Sequence, residues 1–179
     1  MPGVATERLP DGGPIDRREP VLETVVTTLN ADGSVNCGAM GVTADDDGIV
    51  IRPYRRTRTL RNLRARGVAV VNIVDDILLF VESAVGDPRP PTFPAASVEG
   101  AVVAGACSWR EVRVRTIDER AERAVVRTRV VKAGSLRDFA GFNRAAGAVL
   151  EASILASRVR FLSADVVWAE LDRLQIAVD

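Results

Sequence analysis

Residues 25–42, VVTTLNADGSVNCGAMGV, decide the fold. They contain two runs of β-branched and small residues, a composition typical of strands. Between the runs lies ADGS, whose Asp-Gly pair is a strong signal for a tight turn. The stretch therefore predicts two antiparallel strands joined by a hairpin. A second Asp-Gly pair, Asp47 and Gly48, predicts that residues 49–54 (IVIRPY) continue the meander as a third strand.

After this meander the chain alternates between helix and strand. Residues 55–67, RRTRTLRNLRARG, carry Leu60 and Leu63 at helical spacing and end at Gly67, a residue suited to a helix C-cap. Residues 68–74, VAVVNIV, are almost wholly apolar and predict a strand that is buried on both faces.

The middle of the chain predicts a short helix and a loop. Residues 75–86, DDILLFVESAVG, predict a helix that begins at Asp75, because an aspartate side chain caps the first N–H groups of a helix. Residues 87–94, DPRPPTFP, contain four prolines and predict a connecting loop without helix or strand.

The last third predicts a long hairpin and then helices. Apolar and charged residues alternate over residues 108–118 and 122–132, which predicts two antiparallel strands with one solvated face. From Leu136 the period becomes helical, and Ser163 is expected to cap a final helix. The broad apolar face of the first helical stretch comprises Phe139, Phe142, Ala146, Val149, Leu150 and Leu155.

These elements predict a mainly β protein with α-helices (β+α): a six- or seven-stranded antiparallel barrel with C-terminal helices. Residues 1–19 are rich in proline, glycine and charge and predict a disordered or loosely docked tail. Residues 20–134 are expected to form the barrel domain, and residues 135–179 a helical segment packed on the barrel.

The composition excludes several classes of function. The 179 residues include no histidine, so Ser-His-Asp catalysis and histidine-ligated metal sites are excluded, and we expect no metal. The 24 basic and 24 acidic residues balance, which argues against nucleic acid or a membrane as the main partner. Cys37 and Cys107 are far apart and fit a reducing compartment. Without an apolar leader or a membrane-length apolar run, the chain is expected to be cytoplasmic.

The most unusual feature is an arginine cluster between Arg52 and Arg66, which holds seven arginines and no acid. It lies where a strand gives way to a helix, and a helix N-terminus favours a phosphate. Thr57 and Thr59 add hydroxyl donors there, whereas Arg61 and Arg64 fall on the outer face of the helix. Three interpretations stay open for the cluster: a ligand phosphate, a solvated surface, or contact with nucleic acid.

In order and spacing, the runs 25–42, 49–63 and 68–76 resemble the FMN-binding split barrel. They are most similar to a family of unknown function within that superfamily, which also holds flavin reductases and pyridoxine-phosphate oxidases. The run 142–162 resembles the terminal helical segment of the same family. The resemblance implies a split barrel that forms a homodimer, with FMN bound near the subunit interface.

The resemblance also implies which residues contact FMN. Those expected along the flavin ring are Ala39, Met40, Gly41 and Val42. Those expected around the phosphate and ribityl chain are Arg52, Tyr54, Arg55, Thr57, Arg58 and Thr59. Pyridoxine-phosphate oxidases resemble this pattern with a Ser-Arg-Lys run where this chain has Thr-Arg-Thr, so an arginine must replace the charge of the lysine.

Two further polar residues have two interpretations each. Asn72 is the one polar side chain of its apolar strand, and it either meets the flavin or bonds to nearby backbone. Asp75 either caps the following helix or contacts the ligand.

The function predicted from the resemblance is an FMN-dependent oxidoreductase acting on an unidentified small molecule. NAD(P)H is the expected electron donor, and it would bind transiently because the sequence has no GxGxxG motif. The alternatives are a non-catalytic flavin or deazaflavin carrier, and a polyanion-binding module that uses the arginine cluster.

Overall fold

The computed structural model of the chain describes residues 20–45, 48–157, 159 and 162–176. The predicted tail, residues 1–19, lies outside the described residues. The elements, in chain order, are β1 (Leu22–Leu29), β2 (Val35–Asp45), β3 (Gly48–Ile51), α1 (Arg58–Arg66), β4 (Val68–Ile73), α2 (Ile77–Val85), β5 (Thr92–Pro94), β6 (Ala101–Val103), β7 (Ser108–Asp118), β8 (Val125–Ser135), α3 (Arg144–Ala156) and α4 (Ala164–Gln175).

Six of the strands close into an antiparallel barrel in the order β1-β2-β3-β8-β7-β4. The barrel and the helices after it confirm the predicted mainly β fold with C-terminal helices. The hairpin between β1 and β2 turns through Gly33, whose φ of +84° favours glycine. β2 and β3 are antiparallel and pair up to Asp45 and Gly48, so the meander continues as predicted. Asp47 of the second Asp-Gly pair lies outside the described residues.

All six barrel strands contribute to one apolar interior. The cluster comprises Val26, Val42, Ile51, Ala69, Val71, Val112, Ala124 and Val126, together with Leu60 and Leu63 of α1. The two leucines are almost completely buried, which confirms the predicted inner face of this helix. Since α1 supplies part of the barrel core, its position is fixed by the same packing that closes the barrel.

Two outer layers cover the barrel wall. Phe80 of α2 packs with Val25 and Cys37 on one side. The hairpin of β5 and β6 covers Val68 and Val70 on another. As predicted, β4 is therefore buried on both faces.

The prediction of a loop over residues 87–94 is wrong in part. Thr92–Pro94 form β5, in which Phe93 pairs with Val102 of β6. The two strands make a sheet of their own, so each has an unpaired edge at which a proline is tolerated.

The first C-terminal helix begins later than its period predicts. Asn143 caps α3 by accepting a hydrogen bond of 3.1 Å from the N–H of Ala146. Phe139 and Phe142 lie before the helix and are exposed, contrary to the predicted face. The physical reason is Gly141, whose φ of +104° no α-helix can accommodate. Ser163 occupies the N-cap position of α4, as predicted, but its side chain makes no capping hydrogen bond.

None of the helices in the described ranges is both long and apolar enough to cross a membrane.

A buried carboxylate fixes the loop between β5 and β6. Glu111 on β7 is 1% exposed. Its oxygens accept hydrogen bonds from the N–H groups of Ala96 (3.0 Å), Ser97 (2.5 Å) and Val98 (3.1 Å). Burial raises the pKa of Glu111, but the N–H donors of Ala96 and Ser97 outweigh it, and the pKa lies below its usual value.

We predict that Glu111→Gln lowers the free energy of unfolding by about 1.5–3 kcal/mol at pH 7, because charge-assisted hydrogen bonds are lost. The native pKa is depressed, so the wild-type contribution is present above the unfolded pKa of about 4.5 and is lost as the pH falls through the native pKa. Urea unfolding at pH 7 and at pH 4 measures both effects. The exposed Glu122→Gln is the control, and equal losses in the two variants would contradict the prediction.

Candidate functional site

A cleft of about 600 Å³ lies beside β2. The N-terminal end of α1, the C-terminal half of α2 and the end of α3 provide its other walls. Sites for small molecules and cofactors range over about 300–1,000 Å³, so the cleft is large enough for such a ligand.

The N-terminus of α1 lies at this cleft. Thr57 caps the helix: its Oγ1 accepts a hydrogen bond of 3.3 Å from the N–H of Leu60 and donates one of 2.8 Å to the carbonyl of Tyr54. The N–H groups of Arg58 and Thr59 belong to the first helical turn and have no carbonyl partner within the helix. The helix dipole adds positive potential at the same point, so this end of the cleft favours an anion.

A glycine allows α1 to approach β2 closely. A Cβ atom on Gly38 would lie 2.8 Å from Oγ1 of Thr59 and 3.2 Å from Cε of Met40. The Thr59 hydroxyl cannot easily move, because it accepts a hydrogen bond of 3.1 Å from the buried amide of Asn36. Gly38 therefore permits the contact that holds the start of the helix against the strand.

The charged side chains of the lining are mainly arginines. Arg52, Arg58 and Arg123 line the cleft, against one acid, Glu23. Arg52 donates a hydrogen bond of 2.9 Å to Thr43. The balance among these four lining groups is +2, of which Asp87 offsets one charge by pairing with Arg58, so the lining keeps a net positive charge that favours an anion.

Two of these arginines have further contacts beside the cleft. Arg58 pairs with Asp87 at 3.0 Å. The guanidinium of Arg123 lies 4.7 Å from the centre of the Tyr54 ring, within cation–π distance.

The β2 wall is narrow and carries small side chains. Gly38, Ala39, Met40 and Gly41 all line the cleft. A Cβ atom on Gly41 would lie 2.5 Å from Cγ1 of Val21, so Gly41 makes room for the side chain of Val21. Ala39 is the other small residue of this wall, and its short side chain leaves room for a flat ligand.

The wall of the cleft that the helices form is mainly apolar. It consists of Phe80, Ser83 and Ala84 of α2 and Ile154 of α3. Burial raises the pKa of the neighbouring Cys37 thiol to about 11, and the negative charge of Asp87 adds to the shift. This thiol is therefore protonated at neutral pH.

Eight of the twelve residues predicted to contact a ligand line this one cleft. They are Ala39, Met40, Gly41, Arg52, Tyr54, Thr57, Arg58 and Thr59. The structure does not bring the other four to the cleft. Val42 belongs to the barrel interior, and Arg55 is exposed.

Asn72 is completely buried within the barrel wall. Its amide nitrogen donates a hydrogen bond of 3.0 Å to the carbonyl of Val25, and its oxygen accepts one of 2.9 Å from the N–H of Val103. The structure therefore agrees with the second interpretation of Asn72, in which the side chain bonds to nearby backbone. Its role is to join β6 to the barrel.

The prediction that Asp75 caps α2 is wrong. The cap is Asp76, whose carboxylate accepts hydrogen bonds of 3.0 and 3.1 Å from the first turn. Asp75 instead forms an ion pair with Arg137 and accepts a hydrogen bond of 2.8 Å from the N–H of Ala140. The Arg137 bond holds the pKa of Asp75 well below its usual value. Asp75 and Asp76 are adjacent and carry the same local signal for a helix cap. Which of them caps α2 depends on Arg137, which is distant in the sequence and pairs with Asp75.

Several lining residues carry no local signal in the sequence. Arg123 lies in the loop between β7 and β8, far from the arginine cluster in the chain. Ser83 belongs to α2 and Ser157 directly follows α3, and the pattern of both helices indicates only an apolar face. These residues join the cleft through tertiary packing.

Comparison with solved structures finds this fold in flavoproteins. An FMN-bound protein from Methanosarcina mazei, described as a member of family DUF447, is 20% identical, with a TM-score of 0.77 over 89% of this chain and 86% of that chain. An FMN-binding protein from Thermus thermophilus is 16% identical, with a TM-score of 0.58 over 75% and 80% of the two chains. The flavin reductase of styrene monooxygenase from Pseudomonas putida S12 is 18% identical, with a TM-score of 0.56 over 65% and 82%.

At these identities the likeness shows the fold alone, and it confirms the resemblance to the FMN-binding split barrel. Comparison with curated proteins gives no significant match. A family model described as "Protein of unknown function (DUF447) N-terminal domain" matches residues 22–137, a range that includes every strand of the barrel. The chain therefore belongs to the DUF447 family.

Proposed function

We propose that the protein binds FMN in the cleft beside β2 and acts as an FMN-dependent oxidoreductase on a small-molecule substrate. The observation that carries this proposal is the union, in one cleft, of an anion-binding helix end and a strand wall open to a flat ring. The FMN-bound member of the family and the flavin reductase with the same fold support it.

The phosphate end of the proposed site is built by α1. The N–H groups of its first turn, the hydroxyl of Thr59 and the guanidinium of Arg58 supply donors around one point, and Thr57 holds the turn in place by capping the helix. Arg52 adds a second fixed positive charge, oriented by its hydrogen bond to Thr43. This donor set fits a phosphate monoester, since every group named donates and none is anionic.

The ring end of the proposed site is built by β2 and α2. Ala39 of β2 lines the cleft with a small side chain, which leaves room for a flat ring, and Phe80 of α2 packs in the same cluster as Ala39. Bound FMN would supply two-electron redox chemistry, because the flavin carries the reactive atoms. The residues of this chain hold and orient the flavin and exclude water from one face.

NAD(P)H is the electron donor that we propose. The sequence has no GxGxxG motif, so a nicotinamide would enter the open side of the cleft transiently. The cleft does not name the substrate, because this fold supports many reactions.

A non-catalytic flavin or deazaflavin carrier is the second candidate. The chain has no histidine, and the raised pKa of Cys37 keeps that thiol protonated, so the lining offers few groups that exchange protons at neutral pH. Anaerobic mixing with NADH or NADPH separates the two candidates. Bleaching of the flavin absorbance supports the oxidoreductase, and an unchanged spectrum supports the carrier.

A polyanion-binding role is less well supported. Arg58, Arg64 and Arg66 of the arginine cluster form ion pairs with Asp87, Glu119 and Glu99. These pairs neutralise much of the positive charge that a nucleic acid would need.

We also propose that the protein is a homodimer, as its resemblance to split barrels implies, and that it is cytoplasmic, as its two free cysteines indicate. Val21 and Leu22 are exposed apolar side chains, and Val21 also borders the cleft. A second subunit that covers these residues would shield one edge of the flavin.

The first prediction of this proposal is that the purified protein carries flavin absorbance or takes it up when FMN is added. A colourless protein that does not bind added FMN in a fluorescence-quenching titration would overturn the proposal.

The second prediction concerns the phosphate. Arg52→Gln removes a charge beside the proposed phosphate, so the affinity for FMN should fall about 10- to 100-fold while that for riboflavin stays nearly constant. Arg61→Gln, on the exposed outer face of α1, is the matched control and should change neither affinity. Equal losses for FMN and riboflavin would show that Arg52 does not recognise the phosphate.

The third prediction concerns Cys37, measured with Cys107→Ser so that one thiol remains. With a pKa of about 11, only about one thiol in 1,000 is ionised at pH 8. Alkylation by iodoacetamide should therefore be slow and should rise about tenfold per pH unit from about pH 8 to pH 10. Added FMN should slow it further by covering the cleft. A rate that levels off below about pH 9, or that FMN does not change, would contradict the assignment.

A further inference from the structure

The proposed function leaves one feature of the cleft unexplained, the buried hydroxyl of Ser83 on α2. The residue is 7% exposed, and its Oγ has no hydrogen-bond partner among the described residues. An unpaired buried polar group destabilises a folded protein by about 1–3 kcal/mol, so native proteins rarely keep one without a reason.

Other helical serines of this chain satisfy their hydroxyls within the helix. Ser153 of α3 donates a hydrogen bond of 2.7 Å to the carbonyl of Leu150. Ser157, just after α3, donates one of 2.7 Å to the carbonyl of Ile154. Bonds of this kind to the preceding turn are the usual solution for a helical serine, and Ser83 does not make one.

The surroundings of Ser83 belong to the cleft. The buried face of α2 consists of Leu79, Phe80 and Ser83, which share one side because they are three and four residues apart. Phe80 packs in the same cluster as Cys37 and Ala39 of β2. Ser83 itself lines the cleft, next to side chains that offer no hydrogen bond to it.

The apolar surroundings of Ser83 indicate what kind of atom its hydroxyl meets. Its neighbours on the buried face of α2, Leu79 and Phe80, carry no charge. A phosphate would be disfavoured in such surroundings, because a buried charge needs a partner. An uncharged oxygen or nitrogen of a ligand is compatible with them.

We propose that Ser83 is a ligand-binding residue whose hydroxyl donates a hydrogen bond to an uncharged oxygen or nitrogen of the bound flavin. This inference rests on the proposed function, because it takes the flavin as the occupant of the cleft. Ser83 would then distinguish a flavin from a purely apolar ring of the same size.

The proposal has an energetic signature that a structural serine does not share. In the protein without flavin, Ser83→Ala removes an unpaired buried group, so the midpoint of thermal unfolding should stay constant or rise. Ser153→Ala removes a hydroxyl that is already bonded, so the midpoint should fall by about 2–4 °C. The two variants are matched, because each removes one buried hydroxyl from a helix.

For flavin affinity, the order of the two variants should be reversed. Ser83→Ala should weaken FMN binding about threefold to tenfold, and Ser153→Ala should leave it unchanged. Riboflavin and lumiflavin, which lack the phosphate and the phosphorylated side chain respectively, identify the atom that is bonded. A loss that persists with lumiflavin supports a bond to the ring, and a loss confined to FMN and riboflavin supports a bond to the ribityl chain.

The experiment separates this inference from the proposed function. If the wild-type protein binds FMN and the Ser83→Ala variant binds each flavin as tightly as the wild-type protein does, the inference is overturned and the proposed function stands. If Ser83→Ala lowers the unfolding midpoint as much as Ser153→Ala does, the hydroxyl is structural and the inference is also overturned. If the wild-type protein binds no flavin, the proposed function itself fails.

Discussion

The docking of α1 into the end of the barrel is the interaction on which the rest of the structure depends. Leu60 and Leu63 complete the barrel interior, so the helix cannot move without opening the core. Its polar side is tied to β1 by Asn62, whose amide donates a hydrogen bond of 3.0 Å to Thr28. Gly38 removes the side chain that would keep the helix away from β2. Packing, hydrogen bonding and close approach therefore fix one orientation.

That orientation creates the cleft. With its apolar face held in the core, α1 brings its N-terminal end to the cleft, beside β2 and the mainly apolar wall formed by α2. Positive potential and an apolar surface then lie in one cleft of about 600 Å³, and a phosphorylated aromatic cofactor requires both. A protein without histidine can support redox chemistry in such a place, because the cofactor carries the reactive atoms and the protein supplies position and charge.

The hydrogen-bond partners of buried polar groups distinguish the residues that hold the structure together from a residue that lines the cleft. Asn72 and Glu111 are buried in the wall, and hydrogen bonds from or to the backbone satisfy both. Each joins the β5–β6 hairpin or its loop to the barrel, so their partners lie within the chain. Ser83 is also buried and has no such partner among the described residues. The contrast follows from position, since Ser83 lines the cleft and the other two do not.

The sequence by itself determined the barrel strands, the turn at Gly33, the C-cap at Gly67 and a helix within residues 55–67, because each depends on residues close together in the chain. It also predicted an anion-binding site at the start of this helix, since the arginines and threonines that carry the signal are neighbours in the chain. Only the tertiary structure decided that Arg123 and Ser83 belong to the cleft, and that Asp75 pairs with Arg137 and not with its own helix. The physical reason is the separation of the interacting residues along the sequence. A strand or the start of a helix is determined by a few neighbouring residues, whereas a cleft and an ion pair depend on segments that meet only after the barrel has closed.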